Sequence, residues 1–279
     1  MGAAEQMKLD LQLKGRSSKT IDTYLRNAAS FVKFHDNRPP ARLGEPEVRA
    51  WLAHLVNDRH FGPAGLRPFI GAVKFLYEVT LRRPEVTAHI TWPKRPRRLP
   101  EILSPEQVSH ILACADTPRA HVTFAIAYGT GMRLSEIAHL QVADIRSDRG
   151  VIVVRSGKGA KDRLVPLSPK LLEELRAYWR QVRPPAPWLF PGATPDKPIT
   201  IGVLQDAFRK AAAAAGWAPG VFSFHSLRHA FATHQLEANV DLATIQAVLG
   251  HANISTTTLY THVRNDRVIA AGSPLDRLA

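Results

Sequence analysis

The sequence predicts two domains, the first all-helical and the second mainly helical α+β with a small β-hairpin or sheet. Three observations carry this expectation. At 279 residues the chain is long enough to bury two separate cores. Apolar residues recur at helical spacing through most of its length, interrupted by one pair of short β-branched runs, Val151–Arg155 and Arg163–Pro166. Between Trp92 and Pro100 the sequence reads Trp-Pro-Lys-Arg-Pro-Arg-Arg-Leu-Pro, and no helix interior accommodates prolines at that density. The expected boundaries are residues 1–91 for the first domain, 92–100 for a basic linker and 101–279 for the second domain.

In the first domain, Ser17 or Ser18 caps a helix running to His35, with Ile21, Tyr24, Leu25, Ala28, Phe31, Val32 and Phe34 at helical spacing. A second helix covers Glu45 to Asp58, with Val48, Trp51, Leu52 and Leu55 on one face. A third follows Pro63, where Leu66, Ile70, Val73, Leu76 and Tyr77 are apolar. The linker carries Lys94, Arg95, Arg97 and Arg98 in a segment that proline keeps extended. It suits tracking a phosphate backbone better than nuclear targeting.

In the second domain, Ser104-Pro105-Glu106-Gln107 supplies a cap, a first-turn proline and a capping-box glutamine for a helix reaching Cys114. Another helix is expected over Ala120–Tyr128, then a flexible Gly129-Thr130-Gly131 turn and a helix starting at Arg133. The two β-branched runs read as strands joined by a Gly-Lys-Gly hairpin. Helices follow over Lys170–Val182, Ile201–Ala215, His225–Glu237 and Leu242–Val248, and a last one carries Thr256–His262.

Charge narrows the partners. Lys+Arg number 37 against 24 Asp+Glu, a net +13, which favours a polyanion through counterion release and steering. Residues 1–100 hold 18 cations against 9 anions and residues 101–279 hold 19 against 15, so the excess is not confined to a tail. Cys114 is the one cysteine, which excludes a disulfide framework and a thiolate metal site. The N-terminus lacks the apolar stretch of a signal peptide, and no apolar run approaches the ~18 residues of a membrane span. A cytoplasmic protein without membrane contact is expected.

The chemistry gathers in the second domain. Arg133 and Arg228 present paired donors that match phosphate oxygens and keep their protons as charge grows on phosphorus. Glu136, one turn after Arg133, is expected in a supporting role. Lys158, between glycines at the hairpin tip, is placed to protonate a leaving 5′ oxygen, while Lys161 and Arg163 are expected to hold the DNA backbone. A nucleotide P-loop is excluded, because Ile152 and Gly159 stand where its first glycine and its Ser/Thr belong. His225 and Arg228 lie one helical turn apart and face one phosphate; His225 suits proton exchange and His251 suits hydrogen bonding to a phosphate oxygen. A metal cluster from His225, His229 and His234 is disfavoured, since acidic partners are scarce and the His-Glu-x-x-His pattern is absent. Tyr260 trails His251 and follows Ser255-Thr256-Thr257-Thr258. A phenol there needs cations and a base to become a nucleophile, and the preceding basic groups supply them.

Four motifs stand in a fixed order: Thr-Gly-Met-Arg-Leu-Ser-Glu at Arg133, Gly-Lys-Gly-Ala-Lys-Asp-Arg at Lys158, His-Ser-Leu-Arg-His-Ala-Phe-Ala-Thr-His from His225, and Leu-Gly-His-Ala-Asn-Ile-Ser-Thr-Thr-Thr-Leu-Tyr ending at Tyr260. Together they resemble the tyrosine recombinase (lambda-integrase-like) family, in arrangement most like bacterial Xer-type site-specific recombinases. The likeness is strong from Leu103 to His262. It is looser over residues 7–90, where it rests on size and a Ser-x-x-Thr-Ile-x-x-Tyr opening at Ser17. The resemblance implies a SAM-like core-binding domain and a catalytic domain of the DNA breaking-rejoining type. It implies an activating pocket of Arg133, Lys158, His225, Arg228 and His251, with Tyr260 as nucleophile forming a 3′-phosphotyrosyl link, and neither ATP, metal nor other cofactor. It further implies double-stranded DNA as partner and a homotetramer in which the tail, residues 264–279, docks on a neighbour. A second recombinase or an accessory DNA-binding protein is compatible with it, as is a nucleoid location. The span between Lys158 and His225 lacks room for the extra helix of integron integrases, and the chain as read carries no extra arm-binding domain, so neither that subgroup nor a lambda-type phage integrase is expected. The rival readings are a type IB topoisomerase-like nicking-resealing enzyme and a catalytically silent DNA-binding regulator; the intact six-residue set speaks against the second.

Overall fold

The structure, a computed structural model, describes residues 2–94, 101–155, 162–250 and Leu275. The chain divides into two compact units, Met1–Leu99 and Pro100–Ala279, each with its own core.

The first unit holds α1 (Ala3–Leu13), α2 (Ser18–Phe34), α3 (Glu45–Asn57) and α4 (Pro63–Phe75), which continues into a π-helical turn over Leu76–Thr80. Ser17 caps α2 as expected, its Oγ accepting the Thr20 N–H at 3.3 Å. The Glu47 carboxylate closes the start of α3 by accepting the Gly44 N–H at 2.9 Å. Phe31 sits at the centre, with the rings of Trp51 and Tyr77 edge-on at 5.2 and 6.1 Å. Tyr77 donates to the Pro40 carbonyl at 3.0 Å, and burial pushes its phenol up to about 12. Helix α1 is an addition to the expected elements. It buries only Met7 and Leu11, one turn apart, too few for a periodic signal. At the far end of the unit, Arg67 lies over the Trp92 ring at 4.8 Å and donates to the Pro93 carbonyl at 3.2 Å. Lys94 is exposed; Arg95, Arg97 and Arg98 lie outside the described residues.

The second unit is built around α6 (Pro118–Thr130), whose residues are buried without a break from Val122 to Thr130. A helix apolar all round must be covered on several sides. It is covered by α5 (Pro105–Ala113), α8 (Pro169–Val182), α9 (Ile201–Ala214) and α10 (Phe224–Glu237). The expected flexible turn is shorter than the sequence suggested: Gly129 and Thr130 are helical and buried, and the chain turns at Gly131. The short α7 (Leu134–Ala138) follows, with Arg133 as its N-cap. The sheet is antiparallel in the order β1 (Ile145–Arg146), β2 (Val151–Val154), β3 (Arg163–Pro166), with Ile152 opposite Val165 and Val154 opposite Arg163. The Gly-Lys-Gly tip expected between β2 and β3 lies outside the described residues. Helix α11 (Leu242–Leu249) closes the described part of the unit. The expected helix carrying Thr256–His262 is not among the described residues; of the tail only Leu275 is, and it is buried in the core of its own unit. All-helical first unit, mainly helical second unit and small sheet together give the predicted fold class.

Candidate active site

The site begins where α6 stops. Gly131 has φ +65°, and a Cβ there would stand 2.6 Å from both Leu249 Cδ2 and Phe231 Cδ1. Only glycine satisfies the left-handed turn and the close packing together. The turn brings Arg133 to the start of α7. There its N–H donates to Glu136 Oε2 at 2.7 Å and its guanidinium Nη1 to Oε1 at 2.9 Å. Glu136 therefore caps the helix and orients the arginine with the same carboxylate.

Arg163 reaches the same carboxylate from β3. Its Nη1 donates to Oε1 at 2.8 Å and its Nη2 to Oε2 at 2.7 Å, a fork on a fork. Its Nε donates to the Val248 carbonyl at 2.7 Å. Its side chain is 11% exposed and its guanidinium is turned inward, onto the half-buried carboxylate it shares with Arg133, rather than outward as a backbone-holding role would have it. Burial alone would raise the Glu136 pKa; the hydrogen bonds and charge of Arg163, joined by those from Arg133, hold it down at about 2.

Arg228 comes from α10, which starts at Ser223, whose N–H donates to Ser226 Oγ at 3.0 Å. The side chain of Arg228 is buried and donates to the carbonyl of Gly131 and, at 2.9 Å, to that of Leu249. Arg133 Nη2 donates to the Gly250 carbonyl at 2.9 Å. Three consecutive carbonyls, Val248, Leu249 and Gly250, thus each receive a guanidinium from a different element. These are the acceptors that a helix leaves open at its negative C-terminal end, so cations belong there. Burial first, and then the charge of Arg133, push the Arg228 guanidinium down to about 10, with Glu136 opposing. It stays protonated at neutral pH, in a pocket with more positive than negative charge. An entering anion relieves that excess.

His225, one turn before Arg228, is exposed, and its ring meets that of His229 edge-on at 4.6 Å. Burial, then the charge of Arg228, lower the His229 pKa. His234 is used elsewhere: its Nδ1 and the buried Tyr128 hydroxyl are 2.9 Å apart. Lys158, Lys161, His251 and Tyr260 lie outside the described residues. The structure therefore brings together Arg133, Glu136, Arg163 and Arg228. Sequence reasoning missed the acceptor role of the α11 end; the only signal for it was the Gly250 that terminates that helix.

The chain is similar to known proteins over both of its units. The description "Phage integrase family" fits residues 101–267, and "Phage integrase, N-terminal SAM-like domain" fits residues 4–85. The Sinorhizobium fredii protein y4qK, which carries the name integrase/recombinase, is 41% identical over 275 residues, covering 98% of this chain and 88% of its own. The tyrosine recombinase XerD of Brucella suis is 38% identical over 282 residues, covering 91% of this chain and 90% of its own. Among solved structures, a lambda integrase tetramer bound to a Holliday junction superposes with a TM-score of 0.71 at 18% identity, covering 94% of this chain and 79% of that one; this likeness speaks for the fold. The chain belongs to the phage integrase family and is a tyrosine recombinase, an enzyme of site-specific DNA recombination.

Proposed function

We propose that this recombinase cuts and rejoins duplex DNA with six residues: Arg133, Lys158, His225, Arg228, His251 and Tyr260. The Tyr260 phenolic oxygen attacks a backbone phosphorus, and its proton passes to His225. Arg133 and Arg228 hold the non-bridging oxygens as negative charge grows, and His251 donates a hydrogen bond to one of them. The bond from phosphorus to the 5′ oxygen breaks, and Lys158 delivers a proton to that oxygen. A 3′-phosphotyrosyl link and a 5′ hydroxyl result. The 5′ hydroxyl of a partner strand reverses the reaction, so phosphodiester energy is retained and neither ATP nor a metal is required.

One observation carries this reading. Arg133 and Arg228, from distant stretches of sequence, converge on the adjacent carbonyls of Gly250 and Leu249, within a pocket of surplus positive charge. Residues 1–91 act as the core-binding domain, and the linker 92–100 follows the backbone through Lys94, Arg95, Arg97 and Arg98, with Lys161 beside the scissile strand. The net charge of +13 supports a DNA partner. The lambda integrase likeness supports assembly as a tetramer. Docking of the tail 264–279 on a neighbour requires Leu275 to leave the core of its own unit, and a second recombinase or accessory protein is compatible with the reading. DNA of the cytoplasmic nucleoid is the substrate.

The test is covalent trapping on nicked duplexes, selected from a randomised pool by capture of protein–DNA adducts. The wild-type chain forms an adduct in the presence of EDTA. Tyr260→Phe binds the selected duplex and forms none. An adduct with Tyr260→Phe, or no adduct from the whole pool with the wild type, overturns the reading. Product that requires two sites distinguishes recombination from nicking and resealing of one duplex.

A further inference from the structure

Arg163 has no part in the bond-making steps above, yet it is the side chain that joins the pocket's elements. Its fork fills both oxygens of Glu136, the carboxylate that also holds Arg133 and caps α7. Its Nε takes the Val248 carbonyl, next in line to the carbonyls that hold Arg228 and Arg133. A Cβ at Gly250 would stand 2.9 Å from Arg163 Cδ, so the helix terminus is seated directly against this side chain. At 11% exposure the guanidinium offers little surface to a phosphate.

We infer that Arg163 is a positioning residue for strand cleavage. Through Glu136 it fixes the guanidinium of Arg133, and through Val248 it fixes the end of α11, from which the chain continues directly into His251. The inference rests on the assignment of Arg133 and Arg228 to the scissile phosphate. Both oxygens and the carbonyl lie in the directions of a planar fork, which a lysine ammonium does not reproduce. Partners that orient a reacting group from behind are typically worth about 10- to 100-fold in activity.

The experiment uses the full chain and the captured nicked duplex, comparing wild type, Arg163→Lys and Arg163→Gln. Single-turnover adduct formation, duplex affinity and thermal midpoint are measured for each. The expected result is a rate loss of about 10- to 100-fold in both variants, with duplex affinity within about twofold of wild type. Arg163→Lys keeps the charge, which guards against collapse of the pocket in Arg163→Gln. Because the effect runs through Glu136, Glu136→Gln combined with Arg163→Gln loses little more than the worse single variant. Wild-type rates in both variants overturn the inference. So does a rate loss matched by an equal loss of affinity, which would make Arg163 a DNA contact. Failure of the wild type to form any adduct would instead remove the functional reading beneath it.

Discussion

Glu136 makes the site sensitive to acid. Its carboxyl has an ordinary value of 4.5 and is held at about 2 in the folded chain, so the charged form is bound more tightly by the fold than by the unfolded chain. The stabilisation is complete above the unfolded value and is lost as pH falls from about 4.5 through about 2. The difference corresponds to on the order of 3 kcal/mol. Denaturant titrations across that interval are expected to show a shallower loss of stability with falling pH in Glu136→Gln than in wild type, from a lower starting stability at neutral pH. Equal slopes would mean that this carboxylate is not the acid-sensitive group. Gly131 gives a second prediction at this scale. An alanine there meets a left-handed φ, worth about 1–2 kcal/mol, and a core already in contact, worth about 1–3 more. Gly131→Ala is therefore expected to lower unfolding free energy by roughly 2–5 kcal/mol, read from the denaturant midpoint.

Among the elements, α11 matters beyond its eight residues. Its N-terminus is capped by Asp241, which accepts the Thr244 N–H at 2.9 Å, and its C-terminus is held by the three guanidiniums. Removing the cap in Asp241→Ala is expected to cost about 1 kcal/mol. If the helix end sets the arginines, adduct formation slows as well while duplex affinity changes little; an unaltered rate would separate helix stability from chemistry. Most elements were legible in the sequence because each advertises itself locally: Ser17 and Ser104 accept the cap hydrogen bonds of α2 and α5, and the β-branched run Val151–Val154 pairs with Arg163–Pro166. What was not legible is non-local. Arg163 carries the same sequence signature whether it faces DNA or Glu136, and only the register that sets Val154 against Arg163 and the approach of α11 decide between them. Arg133 and Arg228 were readable as a pair through their motifs, whereas the carbonyls that gather them have no side-chain signature at all.

At the scale of the whole molecule, the net charge of +13, spread over both parts of the chain, predicts binding dominated by phosphates. Duplex affinity is expected to fall roughly a thousand- to a hundred-thousand-fold between about 50 and 200 mM salt, if about 6–10 phosphates are neutralised. Fluorescence anisotropy over a salt series checks this, and a flat response would rule out a backbone-led interface. The site adds a specific component to that general attraction, because Arg228 is buried beside other cations and gains from an anion. Binding of duplex is thus expected to raise the thermal midpoint of wild type. The three guanidiniums on the end of α11 also tie the pocket to the integrity of that short helix. When the helix frays, the carbonyls that collect the arginines disperse, and under the proposed mechanism a copy in that state is expected to form no adduct with duplex.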